Sequence, residues 1–247
     1  MHPCLQVLPP TRLPGAEGLA PARDPKCALI PLAGSIGPAA VTRKDVWAML
    51  WSMVHYEVRS HSGDPNRVAL ILPGSGYTAQ GSLLSYAGQA LRAAGWSSKT
   101  LVWDAEPEGL SEASAVYGDL VRELAATISG TRHLIVGKSL GTLVLPLALE
   151  LSIPGAWLTP LISEHGVPEV RDAALGLTGS GIPALLVGGT ADMLWDSEVA
   201  SRSGAHVIEV SDANHSLEVP GDWRRSWAIL GEVTAAVADL AAEVERD

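Results

Sequence analysis

Short apolar runs separated by longer amphipathic stretches set the rhythm of this chain from residue 54 onward. Residues 54–59 alternate apolar and polar side chains, the period of a half-buried strand. Residues 68–72 are apolar without a break, which predicts a strand covered on both faces. Shorter runs at 101–103, 133–136, 156–158, 184–187 and 206–210 predict further strands. Helical periods fill the gaps at 82–94, 111 to about 128, 143–151, 167–175 and 197–203, and a long amphipathic helix closes the chain at 223–244. Ser111 is expected to cap its helix, with Glu112 in the first turn. Pro146 is expected to kink the helix at 143–151, and Ser62-Gly63-Asp64-Pro65-Asn66 reads as a turn.

Alternation of strand and helix predicts the α/β class, a mostly parallel central sheet with helices on both faces. Neither a repeat nor a linker divides residues 46–247, which read as a single domain. Residues 1–45 differ: Pro9-Pro10, Pro14-Gly15 and Gly37-Pro38 interrupt them and no period is sustained. They are expected to form an irregular N-terminal arm. Two readings stay open, a flexible arm or surface ornament, and a start placed too early, with Met49 or Met53 as the true beginning.

Composition narrows the classes. A length of 247 residues with 47% hydrophobic and 18% charged side chains suits a compact globular protein. The net charge of −10, without a Lys/Arg cluster, argues against a nucleic-acid partner. The most apolar long window, 140–158, is broken by Pro146, Glu150 and Pro154, so no membrane span is expected. The first residues lack the basic start and continuous apolar core of a secretory signal, and a cytoplasmic setting is expected. Cys4 and Cys27, the two cysteines, make neither a disulfide framework nor a metal site, and no metal or cofactor is expected.

The candidate chemistry begins where the strand at 133–136 stops. Gly137-Lys138-Ser139-Leu140-Gly141 fits Gly-x-Ser-x-Gly, a strand-to-helix turn so tight that its serine is strained and its flanks must be small. In parallel sheets ligands bind beyond the carboxyl ends of the strands. Two further polar residues follow strands there, Asp192 and His215. A serine hydroxyl is a poor nucleophile until a base takes its proton, and histidine is the side chain with an ordinary pKa near neutrality. A carboxylate on the far ring nitrogen holds the useful tautomer. Asp192 is preferred for that role over Asp196 because it lies nearer its strand. His55, His133 and His206 are expected to be structural or exposed, whereas His165 is expected to border the pocket. Lys138 is expected to be solvated or hydrogen-bonded.

On these residues the chain resembles the α/β-hydrolase superfamily, whose order Ser…Asp…His it follows at spacings of 53 and 23 positions. The local stretches 137–141 and 212–217 are similar to small, capless dienelactone-hydrolase-like and testis-expressed-type members. The resemblance implies an α/β-hydrolase fold with Ser139 as nucleophile, His215 as base and Asp192 as orienting acid. It also implies an oxyanion hole from the Leu140 N–H and an N–H of Ser75, with Gly74, Gly76, Tyr77 and His165 binding substrate. Pro73-Gly74 stands where many members carry His-Gly, Met193 where a proline often follows the acid, and Thr142 in place of a further glycine. Dienelactone hydrolases themselves use cysteine, so their substrate is not implied. Only 25 residues separate Leu158 from Pro183, too few for a cap domain. An open or loop-covered site rimmed by residues 159–165 and Tyr77 is expected, taking an ester or thioester of a small to medium acyl group.

Two other classes remain. A non-hydrolytic member of the fold, an acyltransferase, cyclase or binding module, would share the motif. Gly74-Ser75-Gly76-Tyr77-Thr78-Ala79 also satisfies a dinucleotide fingerprint, with Asp104 placed to hold a ribose, but an oxidoreductase would leave Ser139, Asp192 and His215 as coincidences. The substrate partner is expected to be a small acyl compound. Oligomeric state is left open.

Overall fold

A computed structural model describes residues 56–127 and 130–246. The expected arm at 1–45, and the first ten residues of the expected domain at 46–247, lie outside the described residues. Strands are β1 (Tyr56–His61), β2 (Asp64–Leu72), β3 (Trp96–Trp103), β4 (Arg132–Lys138), β5 (Gly155–Leu158), β6 (Ala184–Gly189) and β7 (His206–Val210). Helices are α1 (Ser82–Ala93), α2 (Leu110–Ala125), α3 (Leu145–Glu150), α4 (Pro168–Gly176), α5 (Ser197–Arg202) and α6 (Trp223–Arg246).

Among the described residues the strands form one sheet in the order β1-β3-β2-β4-β5-β6-β7. β1 runs antiparallel to β3, and every other neighbouring pair is parallel. Side chains alternate across a strand, so the unbroken apolar run in β2 has to be covered twice. Ala69 and Ile71 pack in the layer that contains Leu84, Leu91, Val233 and Val237 of α1 and α6. Leu70 and Leu72 pack in the opposite layer, with α2, α3, α4 and α5. Truncating any of these fully buried leucines to alanine costs about 2–5 kcal/mol. The sequence between β5 and β6 holds only a loop and α4, with no inserted cap.

Several elements differ from the sequence reading. β3 begins at Trp96, five residues before the apolar run at 101–103. Its polar start is held by ladders on both sides, to β1 and β2, and by the Ser97 hydroxyl, which donates to the Asp64 carbonyl. β2 starts at Asp64, inside the expected turn, with its register to β3 shifting between Asp64 and Val68. Ser111 does not cap α2; the cap position is Gly109, and the Glu112 carboxylate accepts the Glu108 N–H at 2.6 Å. The expected kinked helix at 143–151 is instead a 3₁₀ turn, Ser139–Val144, followed by α3. Pro146 lies in the first turn of α3, where its missing N–H breaks no helical bond.

Candidate active site

The β4 strand ends at Lys138, and Ser139 adopts φ +52°, a left-handed conformation that non-glycine residues rarely hold. Close approach enforces the flanking glycines. A Cβ on Gly137 would fall 2.5 Å from the Gly141 carbonyl oxygen, and one on Gly141 would strike the Leu72 carbonyl of β2. Thr142, where a further glycine was the familiar choice, has a purpose: its hydroxyl donates to the Ser139 carbonyl at 2.6 Å and accepts the Leu161 N–H at 3.4 Å. It ties the strained serine to the loop after β5.

Asp192 and His215 arrive on loops after β6 and β7 that are bonded to each other. The Ala191 N–H donates to the Ala213 carbonyl at 3.0 Å, and the Asp212 N–H to the Thr190 hydroxyl at 2.8 Å. Asn214 then winds the second loop, its side-chain oxygen accepting the N–H groups of Ser216 at 2.9 Å and Glu218 at 3.1 Å. This framework presents the His215 ring between two partners. Its Nδ1 lies 2.7 Å from Asp192 Oδ2 and its Nε2 2.8 Å from Ser139 Oγ. A carboxylate only accepts, so Nδ1 carries the hydrogen and Nε2 is left to accept from the serine hydroxyl. The other Asp192 oxygen accepts the Leu194 N–H at 2.9 Å. With its side chain 1% exposed, this carboxylate has little water to compete for it.

Asp196 is engaged elsewhere. It caps α5, accepting the N–H groups of Glu198 and Val199 at 3.0 Å each, and pairs with Arg171 at 2.8 Å. Its carboxyl sits below the usual aspartate value; burial opposes the shift, and the Val199 N–H with Arg171 overcomes it.

The loop after β2 reaches the serine from the other side. A Cβ on Gly74 would lie 2.9 Å from Ser139 Cβ and 3.5 Å from Ser139 Oγ. The Gly74 N–H donates to the Tyr77 carbonyl at 3.1 Å, closing a turn in which Gly76 has φ +61°. The Ser75 N–H donates to no acceptor among the described residues. The Leu140 N–H opens the 3₁₀ turn, where the first donors have no acceptor within the turn.

Sequence reasoning missed the groups that hold this loop. The Glu106 carboxylate accepts the Ser75 hydroxyl at 2.6 Å and the Gly76 N–H at 2.5 Å. Tyr117, fully buried on α2, donates its hydroxyl to the Pro73 carbonyl at 2.7 Å. Burial raises the Tyr117 phenol well above its ordinary value, keeping it a donor. Glu106 follows a strand at the carboxyl edge, a signal available in the sequence. Tyr117, mid-helix, gave none.

His165 is placed apart from the Ser139–His215–Asp192 chain. It is exposed, its backbone N–H donates to Ser163 Oγ at 3.1 Å, and its ring lies 3.6 Å from Glu164. Lys138 is 1% exposed rather than solvated, and its ammonium donates to the His215 carbonyl at 3.1 Å. A groove of about 600 Å³ begins where the His215 loop continues into Ser216 and Leu217. Buried Leu83 and exposed Trp223 and Trp227 also line it. Among the described residues no cluster of His, Cys, Asp or Glu could hold a metal ion, and no helix is long and apolar enough to cross a membrane.

No family model matches this chain, and no curated protein matches it by sequence. Solved structures do match. The esterase Est1E from Butyrivibrio proteoclasticus, solved with ferulic acid, superposes with a TM-score of 0.59 at 15% identity, over 78% of this chain and 97% of that one. A serine hydrolase without a lid from Xanthomonas campestris gives 0.51 at 16% identity, covering 74% of this chain and 88% of that one. A monoacylglycerol lipase from Paleococcus ferrophilus gives 0.53 at 14% identity, covering 75% and 99%. At such identities the likeness establishes the fold. The protein has the α/β-hydrolase fold, with no large cap among the described residues, and its structural neighbours include α/β hydrolases.

Proposed function

We propose that the protein is a serine hydrolase that cleaves an ester or thioester of a small to medium acyl group through an acyl-enzyme. The observation that carries this reading is the continuous hydrogen-bond chain Ser139 Oγ–His215 Nε2, His215 Nδ1–Asp192 Oδ2, at 2.8 and 2.7 Å. Ser139 Oγ attacks the acyl carbon as its proton passes to His215 Nε2, and Asp192 stabilises the imidazolium. Charge collects on the former carbonyl oxygen, for which the N–H groups of Leu140 and Ser75 are the proposed donors. Collapse expels the alcohol or thiol with the proton from His215. A water then repeats the sequence on the acyl-serine and releases the acid.

The groove beside Ser216 and Trp223 offers room for the part of the substrate remote from the reacting bond. Gly74, on the loop after β2, lies against Ser139 and is the proposed contact for the acyl group. Hydrolysis is preferred over acyl transfer because, among the described residues, no cap is inserted between β5 and β6 to exclude water. A dinucleotide reading fits the loop after β2 poorly, since the Glu106 carboxylate already holds the Gly76 N–H that a pyrophosphate would need.

A fluorophosphonate probe tests the reading. Wild type should be labelled and Ser139→Ala should not; equal labelling of both refutes it. Turnover of a chain-length series of p-nitrophenyl esters and acyl thioesters then identifies the acyl group. Accumulation of a transfer product with an added alcohol or amine, with no free acid released, would instead favour the acyltransferase.

A further inference from the structure

Lys138 precedes the nucleophile, and the mechanism just described does not use it. Its side chain is the largest charged one with so little exposure among the described residues, 1%. Burying an ammonium is costly unless partners replace water. Two replace it in part: the His215 carbonyl at 3.1 Å, and the Tyr77 ring, whose centroid lies 4.5 Å from Nζ. Both partners belong to the site, one to the loop that carries the base and one to the loop that packs on Ser139. A lysine needed only for packing would be better served by leucine or methionine.

We propose that Lys138 is a positioning residue for His215, its buried ammonium pinning the main chain of the base to the end of β4. The proposal rests on the reading of Ser139 as nucleophile and His215 as base. Asp192 fixes the ring from its Nδ1 side and Lys138 fixes the backbone that carries it, so the contact of Nε2 with Ser139 is held from two directions. Burial lowers the Lys138 amine to about 8, with the Asp192 carboxylate opposing the shift, so the charge is present at neutral pH.

The test is fluorophosphonate labelling, with kcat and KM for p-nitrophenyl acetate measured separately, in wild type, Lys138→Met and Lys138→Arg. Lys138→Met should lose about 10- to 100-fold in kcat at pH 7 with KM little changed, since misplacing the base by a fraction of an ångström has effects of that order. Lys138→Arg, which keeps a donor for the His215 carbonyl, should recover most of that loss. An unchanged kcat in Lys138→Met, a loss seen in KM alone, or equal losses in both variants overturns the proposal.

A measurement on the unaltered protein guards against variants that do not fold. The chain has four lysines, Lys26, Lys44, Lys99 and Lys138. Carbon-13 labelling at lysine Cε should show one of them titrating near pH 8 and absent in Lys138→Met or Lys138→Arg, whichever folds. If all four titrate above pH 10, the ammonium is not held under the His215 loop and the proposal fails. Labelling of Ser139→Ala would sink the nucleophile itself. Labelling lost in Ser139→Ala, together with a wild-type kcat in Lys138→Met, would sink only the role given to Lys138.

Discussion

Gly74→Ala isolates the contact between the loop after β2 and the serine. The added Cβ would stand 2.9 Å from Ser139 Cβ and 3.2 Å from the Lys138 carbonyl oxygen, against an ordinary contact of 3.4 Å or more. Something must retreat by at least about 0.5 Å, either the loop that carries the Ser75 N–H or the serine in its strained turn. Gly74 is not among the positive-φ residues, so alanine brings no backbone penalty and the effect is steric. Overpacking of this kind costs about 1–3 kcal/mol. Displacing the oxyanion donor or the nucleophile costs about 10²-fold in turnover. Gly76→Ala is the control: it has φ +61° and nothing within 4 Å of an added Cβ. It should cost about 1 kcal/mol through its backbone alone and leave turnover within a few-fold. Turnover of p-nitrophenyl acetate beside melting temperature for both variants reads the two effects separately. Gly74→Ala as active as wild type, or losses equal in the two variants, would refute the placement of this loop against Ser139.

Asp192→Asn should lower kcat by about 10³- to 10⁴-fold with little change in melting temperature, because an amide supports the wrong tautomer of His215. Asp196→Asn should do the reverse, leaving turnover near wild type and costing about 1 kcal/mol from its cap and its Arg171 pair, read by urea denaturation. Because the Asp196 carboxyl is held below its ordinary value, its contribution is present above pH 4 and fades as acid protonates the folded carboxyl; the difference between wild type and Asp196→Asn should shrink toward pH 3. The lowered Lys138 amine gives the same trend in a more alkaline window. Between about pH 8 and 10.5 the unfolded chain binds more protons than the folded one, so stability relative to Lys138→Met should rise with pH across that window, by at most about 3 kcal/mol. Glu106→Gln should weaken the grip on Ser75 and Gly76 and slow turnover by about 10-fold, measured at saturating substrate.

What the sequence made legible follows from how locally each feature is encoded. The central strands could be read because a strand covered on both faces needs an unbroken apolar run, as residues 69–72 show. The start of β3 could not, since Ser97, Ser98 and Lys99 are strand residues by virtue of neighbours 29 or more residues away. The turn at the elbow was legible because its Gly-x-Ser-x-Gly pattern is local: Gly137 is forced by the carbonyl of Gly141 four residues on, although Gly141 itself is forced by Leu72 of β2. The helix expected after it was not, because the chain tightens to a 3₁₀ turn before Pro146 can begin α3.

The same distinction separates the reacting groups from those that hold them. A nucleophile, a base and an acid must be of particular residue types and must follow strands, so position in the sequence points to them. Their supports need only a donor or acceptor at the right place, which any element can supply. Hence Tyr117 reaches Pro73 from the middle of α2, Thr142 ties Ser139 to Leu161, and Lys138 reaches the carbonyl of a residue 77 positions on. Each support joins the nucleophile's loop or its neighbour to a separate part of the fold, so the strain at Ser139 is opposed from several directions at once. A turn fixed in this way keeps its hydroxyl aimed at His215 without waiting for substrate, and loosening any one tie should slow the chemistry before it unfolds the protein.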